Sequence, residues 1–480
     1  MDNKFLSYEQ FGAIGDGKTD DIEAIIACHE EANRTGTPVK TKDGATYYIG
    51  GRKLTATIKT SVDFGKSKFI IDDTALEDIR SDVFQVHSDF ENFDPEIKSL
   101  ERGQTKVNIP HEGNLYVRVY NDNRKMFIRK GLNMNSGAPA TDVFLVDPEG
   151  NIFPSIDWDH PEITRAFARR IDDEPITISG GIFTTVANQA ESFYNYHHRG
   201  ITVLRANVTI ENITHYVTGE GDHGAPYRSF IQITETANIT VRDCLLTPHF
   251  IYKTASKIPG KSVSMGSYDI NCGASVNVHC ENITQTIDIN DNRYWGIYTS
   301  NFCKNLSLTN CTISRFDAHM GVTNVTLKKC TFGHQGMNLI GFGKAYIEDT
   351  TSYCHAFFAL RPDYGSIWDG EITIKNCEWK SRNPKSNALF FSQNEEDHDF
   401  GYACCQPHTL TIDGLKIDDS NLAATPNLLP VYNAKKDPEK IIAPYGTVKV
   451  LIAKNITLTS GNAYGLCANA DLYPDIIIIK

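Results

Sequence analysis

NVTIENI from Asn207, NITVRDC from Asn238, NVHCENI from Asn277, NLSLTNC from Asn305 and NVTLKKC from Asn324 are five copies of one phrase. Each opens on Asn, alternates apolar with small polar residues, and reaches a Cys or aliphatic residue six places on. Weaker copies follow as EITIKNC from Glu371 and TLTIDGL from Thr409. Side chains on a strand alternate faces, so Val325 and Leu327 share one face while Thr326 and Lys328 share the other. Each copy therefore reads as a short strand. The spacings of 31, 39, 28 and 19 residues match single coils of a solenoid, in which no repeat buries its apolar face alone. The fold expected is all-β: a right-handed, single-stranded parallel β-helix whose longer coils carry loops.

The chain has 480 residues, 40% of them hydrophobic, enough for one long body with an insertion. Forty-seven Lys and Arg against 59 Asp and Glu leave a net charge of −12, which argues against nucleic acid as a partner. No uninterrupted apolar segment is long enough to cross a bilayer, so no membrane partner is expected. MDNKFLSYEQFG has no basic-then-apolar leader; taken as the true start, it assigns the chain to the cytoplasm, whereas a removed leader or a phage origin assigns it outside the cell.

Cys244, Cys311, Cys330 and Cys377 share a repeat position with Ile213, Ile283 and Leu415. A position that takes Cys, Ile and Leu interchangeably is an apolar rung. Cys404 and Cys405 are adjacent and no CxxC pair occurs, so no metal site is expected. The Asn-x-Thr triplets at Asn212, Asn238, Asn282, Asn310 and Asn455 match a glycosylation pattern, but stacked coils offer a simpler reading: Asn side chains hydrogen-bonding between equivalent positions.

Three segments follow: a cap and first coils over 1–86, a β-rich insertion over 87–172, and the main β-helix over 173–480. In the cap, Thr19 is the expected N-cap of a helix with Ile22, Ile25, Ile26 and His29 on its buried face and Gly36 at its end. In the insertion, LYVRVYNDNRKMFIRKG reads as strands around an Asn-Asp-Asn turn, DVFLVDPEGNIF as a hairpin and PEITRAFARR as a short helix. Gly12–Thr19, GAIGDGKT, satisfies the phosphate-loop pattern, yet Asp16, Asp20 and Asp21 would surround the anion with carboxylates.

FGAIGDGKTDDIEAIIACHEEA followed by GATYYIGG resembles the opening of the pectate-lyase-like superfamily of right-handed β-helices. That superfamily contains polysaccharide hydrolases, lyases, epimerases and phage tailspikes, so the resemblance implies the architecture and a saccharide partner without naming a reaction. A tailspike-like homo-oligomer is among its arrangements.

The strands preceding the Asn phrases supply a polar column for a groove: Asp269, Asn271, Tyr294, Tyr298, His319, Asn338 and Arg361, with Ile233, Ile270, Ile297, Val322 and Leu360 inward. Rungs roughly 4.8 Å apart let carboxylates on neighbouring coils reach the about 5–9.5 Å separations of glycoside hydrolysis. Asp269, Asp291 and Asp317 are the candidate catalytic acids, with His319 beside them. His334, Arg361, Tyr294, Asn271, Asn338, Arg293, His223 and Arg228 are the candidate substrate contacts. The order Asp291 in NDN, Asp317 in FDAH, His334 in GHQG and Arg361 in LRPD resembles a loosened polygalacturonase pattern, lacking its Asp-Asp pair and its Lys after Arg. FDAH also resembles an element of alginate epimerases.

A glycoside hydrolase with Asp317 as general acid and Asp291 or Asp269 as base or nucleophile is the leading expectation, with no cofactor. A lyase or epimerase acting on a uronate, in which His319 or Tyr294 moves the proton, is the second, with calcium as its conceivable helper. A glycan-binding tailspike is the third. The first predicts that Asp317→Asn abolishes turnover and leaves the melting temperature nearly unchanged.

Overall fold

Every copy of the Asn phrase begins a strand of one continuous parallel ladder. In this computed structural model, which describes residues 5–221, 224–256, 258–382, 387–430, 432, 438–467 and 470–480, 27 strands join into a single coiled sheet. Ile178, Ile210, Val241, Cys280, Leu308, Leu327, Ile347, Ile374, Ile412 and Ala453 hold one register position on successive coils. All are at most 3% exposed. Facing them is a second interior column, Ile231, Ile270, Tyr298, Phe316, Met337, Phe358 and Phe390. A third, short strand row passes through Thr214, Leu245, Thr284, Thr312, Thr331 and Thr351. Three strand directions per turn and one dry core make the right-handed parallel β-helix that the repeats predict.

The corners explain why Asn opens the phrase. Asn207, Asn238, Asn277, Asn305 and Asn324 all adopt φ between 55° and 59°, the left-handed region that Asn tolerates better than other residues with a side chain. Their amides form a ladder: Asn238 donates to Asn207, Asn277 to Asn238 and Asn305 to Asn277 at 3.0 Å, and Asn324 to Asn305 at 3.1 Å. A second ladder runs from Asn310 to Asn282 to Asp243, each step 2.7 Å. Of the triplets, Asn238, Asn282 and Asn310 stack in these ladders, and Asn455 donates to Asp413 at 2.8 Å. Cys244, Cys311, Cys330 and Cys377 are buried, unbridged rungs.

Helix Ile22–Thr35 covers the first coils with Ile22, Ile25, Cys28, His29 and Ala32. Its N-cap is Asp21 rather than Thr19, because Asp16–Asp20 pairs as a strand with Thr46–Ile49. Cys28, not Ile26, completes the buried face. The phosphate-like loop is closed by its own carboxylates: Asp21 accepts from the Ile14 and Gly15 amides, and Asp16 from those of Lys18 and Thr19. Four of its N–H groups are taken up by these carboxylates.

Within the insertion, Leu115–Met126, Ala138–Val146, Ile152–Phe153 and Arg165–Arg170 make a four-stranded antiparallel sheet. The expected Asn-Asp-Asn turn is instead a bulge inside one long strand, and the expected helix over PEITRAFARR ends in the strand Arg165–Arg170. Tertiary pairing with Leu115–Tyr120 overrides the local pattern. The sheet docks on the corner column Ala237, Val276, Lys304 and Thr323. There Tyr116 and Val143 pack on Ala237, Ala274 and Val276. The Lys304 ammonium, fully enclosed, holds Asp142 at 2.5 Å and Asp157 at 3.1 Å. At the far end, Ile477–Ile479 pairs with Val450–Ile452.

Truncation at Asn277 separates the two roles of a corner residue. Asn277→Gly removes two ladder bonds but keeps the backbone comfortable; Asn277→Ala removes them and strains the backbone as well. Thermal unfolding is expected to rank wild type above N277G above N277A, the last two differing by about 1 kcal/mol. Equal melting temperatures for the two variants would disprove the corner argument.

Candidate functional site

The outward position beside the second interior column carries Gln85, Thr202, Gln232, Asn271, Thr299, Asp317 and Asn338 on successive coils. A cleft of about 490 Å³ opens over its centre. Asn271, Thr299 and Asn301 make its floor, and Tyr268, Trp295, Tyr227, Tyr196 and Tyr194 its aromatic walls. Arg80, His198 and Arg228 bring positive charge or its precursor to one side, and His319 with Met320 closes the other. Gly266 has a steric role: a Cβ there would sit 2.6 Å from Trp295 Cδ2, so only Gly lets the indole lie against the chain.

His319 enters the cleft through an irregularity. Ser300 pairs with Ala318, but Asn301 pairs with Met320, leaving His319 as the extra residue of a β-bulge, a device that re-aims side chains beside functional sites. Its Nδ1–H donates to Asn301 Oδ1 at 3.0 Å, and Asn301 Nδ2 points to Asn271 Oδ1 at 3.5 Å. A carbonyl oxygen can only accept, so this bond fixes the tautomer and leaves Nε2 as the lone-pair nitrogen. Burial, with Arg361 adding repulsion, pushes the imidazole down to about 3. It is neutral throughout the physiological range.

Asp317 is placed differently from its expected role. It is fully buried beneath the cleft. Tyr268 Oη donates to it at 2.6 Å, Arg361 Nη1 reaches both its oxygens at 2.8 and 2.7 Å, and Arg315 Nη2 lies at 3.0 Å. Burial alone would raise its pKa, but Arg315 and Arg361 overcome that and hold it far below the carboxylate range. Such a group stays ionised and cannot deliver a proton as a general acid. Arg361 also binds Asp363 at 2.7 Å, and Arg129 from the insertion binds the same carboxylate at 2.7 Å. Asp317 anchors this buried network, and through Tyr268 it steadies the cleft wall.

The three aspartates do not stack. Asp269 lies just ahead of the strand Ile270–Gly273, where the outward alternation of that strand has not begun; it turns inward to His215 Nδ1 at 2.9 Å. Asp291 sits in a turn and grips Arg293 at 2.6 Å, the usual work of Asp in turns. Tyr298 points into the core, since Ile270 and Phe316 are its register partners. Asn338 is outward but turns to the Gln335 carbonyl at 2.9 Å. His334 bonds the Ile289 carbonyl, and Tyr294 pairs with Phe250; neither lines the cleft, and nor does Arg293. Arg361 lies beneath it. His223 falls outside the described residues.

Of the expected contacts, then, His319, Asn271 and Arg228 come together in one cleft. Arg80, Tyr194, Tyr196, Tyr268, Trp295 and Asn301 join them unannounced by the sequence reading. Tyr268 and Trp295 lie just ahead of the strands Ile270–Gly273 and Tyr298–Thr309, and the aromatic density there was the available signal. Among the described residues no carboxylate lines the cleft. Among the described residues no group of three or more His, Cys, Asp or Glu is arranged to hold a metal ion.

No protein-family model matches the chain, and no curated protein matches it. Among solved structures it is similar to the tailspike protein gp49 of Pseudomonas phage LKA1, with 15% identity, a TM-score of 0.52, and 94% of this chain and 81% of that chain covered. The tailspike gp61 of Pseudomonas phage phi297 follows at 12% identity and TM-score 0.48, covering 97% and 84%. At these identities the likeness concerns the fold alone.

The buried network reverses the stability expected of Asp317→Asn. Losing the charge leaves Arg315 and Arg361 undercompensated in the interior, a change that costs about 3–5 kcal/mol. Denaturant unfolding is expected to show that loss for D317N and a much smaller one for H319A. An unshifted D317N transition would restore Asp317 as a dispensable catalytic group.

Proposed function

We propose that this chain binds an acidic polysaccharide in the cleft and cleaves it by elimination beside a uronate carboxylate. What carries the reading is one juxtaposition: a neutral, tautomer-fixed imidazole faces the same cleft as Arg228 and Arg80, with no carboxylate among the described residues that line it. Paired-carboxylate hydrolysis needs two acids about 5–9.5 Å apart across the scissile bond. Here Asp317 is sealed, Asp269 is inward and Asp291 is bound to Arg293.

In the elimination, the arginines neutralise the sugar carboxylate and make the adjacent C–H more acidic. His319 Nε2 takes that proton. The electron pair forms the new C=C bond as the C–O bond to the neighbouring sugar breaks. The departing oxygen takes a proton from Tyr196, whose phenol burial pushes up to about 12 and whose hydroxyl makes only a long 3.8 Å contact with Met265 Sδ. A bound carboxylate also favours the imidazolium that proton transfer creates, countering the depression exerted by burial and Arg361. Aromatic walls suit the apolar faces of sugar rings, and Asn271, Asn301 and Thr299 suit their hydroxyls.

Incubation with acidic and neutral glycans tests this directly, following reducing ends alongside the ultraviolet absorbance of unsaturated uronides. Both are expected to rise together on an acidic glycan, and H319A is expected to lower kcat at least about 100-fold, the lower range for a general base. Reducing ends without absorbance would mean hydrolysis. No product with H319A-sensitive binding would reduce the chain to a glycan-binding protein.

The pH profile offers a second check. The acid limb of kcat/KM reports the free enzyme's base. Since His319 is held near 3, the limb is expected well below the ordinary histidine value, with activity retained at pH 5. A limb centred near pH 6.5 would point to another, unperturbed histidine.

A further inference from the structure

Beyond the cleft lies a second cavity of about 960 Å³, separated from it by a partition. The partition has two parts. One is the segment around Ser192–Tyr196; the other is the hairpin Tyr252–Ala255 with Ser262–Met265, whose register pairs Tyr252 with Met265 and Lys253 with Ser264. Thr254 on the hairpin bonds Ser192 on the segment, and Ser256 Oγ donates to the Leu132 carbonyl of the insertion at 2.8 Å, so the wall is braced.

Tyr194 holds φ at 46°, an unfavourable value for an aromatic residue. The result is that consecutive aromatics serve different cavities: Tyr194 lines the cleft, while Phe193, 65% exposed, lines the second cavity. Tyr194 is fixed there by its hydroxyl bond to Asn133 at 2.7 Å. The exposed Phe193 ring shares the second cavity with Phe250 and Tyr252.

The rest of the second cavity has saccharide chemistry. Phe250 and Tyr252 supply further rings, and Lys253, Asn292 and Arg293 supply donors. The Arg293 guanidinium lies 5.5 Å from the Phe250 ring centre and is steadied by Asp291. Two acids line it as well: Glu220, engaged by His249 Nδ1 at 3.0 Å and Tyr252 Oη at 2.8 Å, and the exposed Glu191 on the partition segment. Glu220 orients the wall.

We infer that this second cavity is a remote subsite for the same acidic polysaccharide, holding a distal stretch of the chain whose reacting linkage occupies the first cleft. The inference rests on the function proposed above and adds the means by which long chains are preferred. Two weak sites on one polymer gain through effective concentration, a factor of about 10²–10⁴. Sugars stacked on Phe193 and paired with Arg293 and Lys253 raise the affinity of long chains without altering contacts at His319.

Calorimetric titration with size-graded oligosaccharides of whichever acidic glycan binds, from disaccharide to dodecasaccharide, tests it. Wild-type protein is expected to bind the dodecasaccharide at least about 100-fold tighter than the disaccharide. F193A and R293Q are expected to lose most of that gain. Both positions are exposed, and circular dichroism confirms that the variants fold. Short chains binding while the length dependence is the same in variants and wild type would overturn the remote subsite and spare the proposed function. Failure of every acidic oligosaccharide to bind would overturn both.

Discussion

Register is the constraint on which the molecule depends. Each coil must place its apolar residues directly above those of the coil before, because a shift of one residue would turn every interior side chain outward. The left-handed Asn corners enforce this. Their backbone geometry sets where the chain turns, and the amide ladder joins each turn to the next at about 3 Å. Coils from 19 to 39 residues long keep the same corner, so length varies only in the loops. The corner is conservative, and the chemistry sits on the strand row that leads into it, at Asn271, Thr299 and Asn301.

That chemistry arises where regularity fails. His319 reaches the cleft because a bulge adds one residue to its strand. Tyr194 and Phe193 diverge because a strained φ separates them. The insertion contributes an arm whose Arg129 and Asn133 fix Asp363 and Tyr194, so an antiparallel sheet remote in sequence braces a parallel one. The Asp317, Arg315, Arg361 and Asp363 cluster lies beneath the floor, its charges mutually compensated.

Electrostatics follow the same division. A chain of net charge −12 presents a cleft lined, among the described residues, by no carboxylate, and acids near it are paired with cations. Glu235 pairs with Arg118, Asp363 with Arg361 and Arg129, and Asp291 with Arg293. Net charge describes the long-range field; pairing decides what a ligand meets at contact distance.

The sequence by itself determined the coil. Asn-led phrases, interchangeable Cys, Ile and Leu rungs, and the capping helix are local patterns tied to backbone geometry and burial, so they can be read one residue at a time. It also pointed to His319, Asn271 and Arg228. Tertiary structure alone decided the rest. Asp269, Asp291 and Asp317 are equally acidic in sequence, yet one faces a buried histidine, one caps a turn and one is locked between arginines. Which face a side chain takes depends on where its strand starts and whether a bulge intervenes, and those are set by pairing with neighbouring coils. The contribution of Tyr194, Trp295 and Arg80 depends on loops folding over distant rungs, a matter of packing that no local period records.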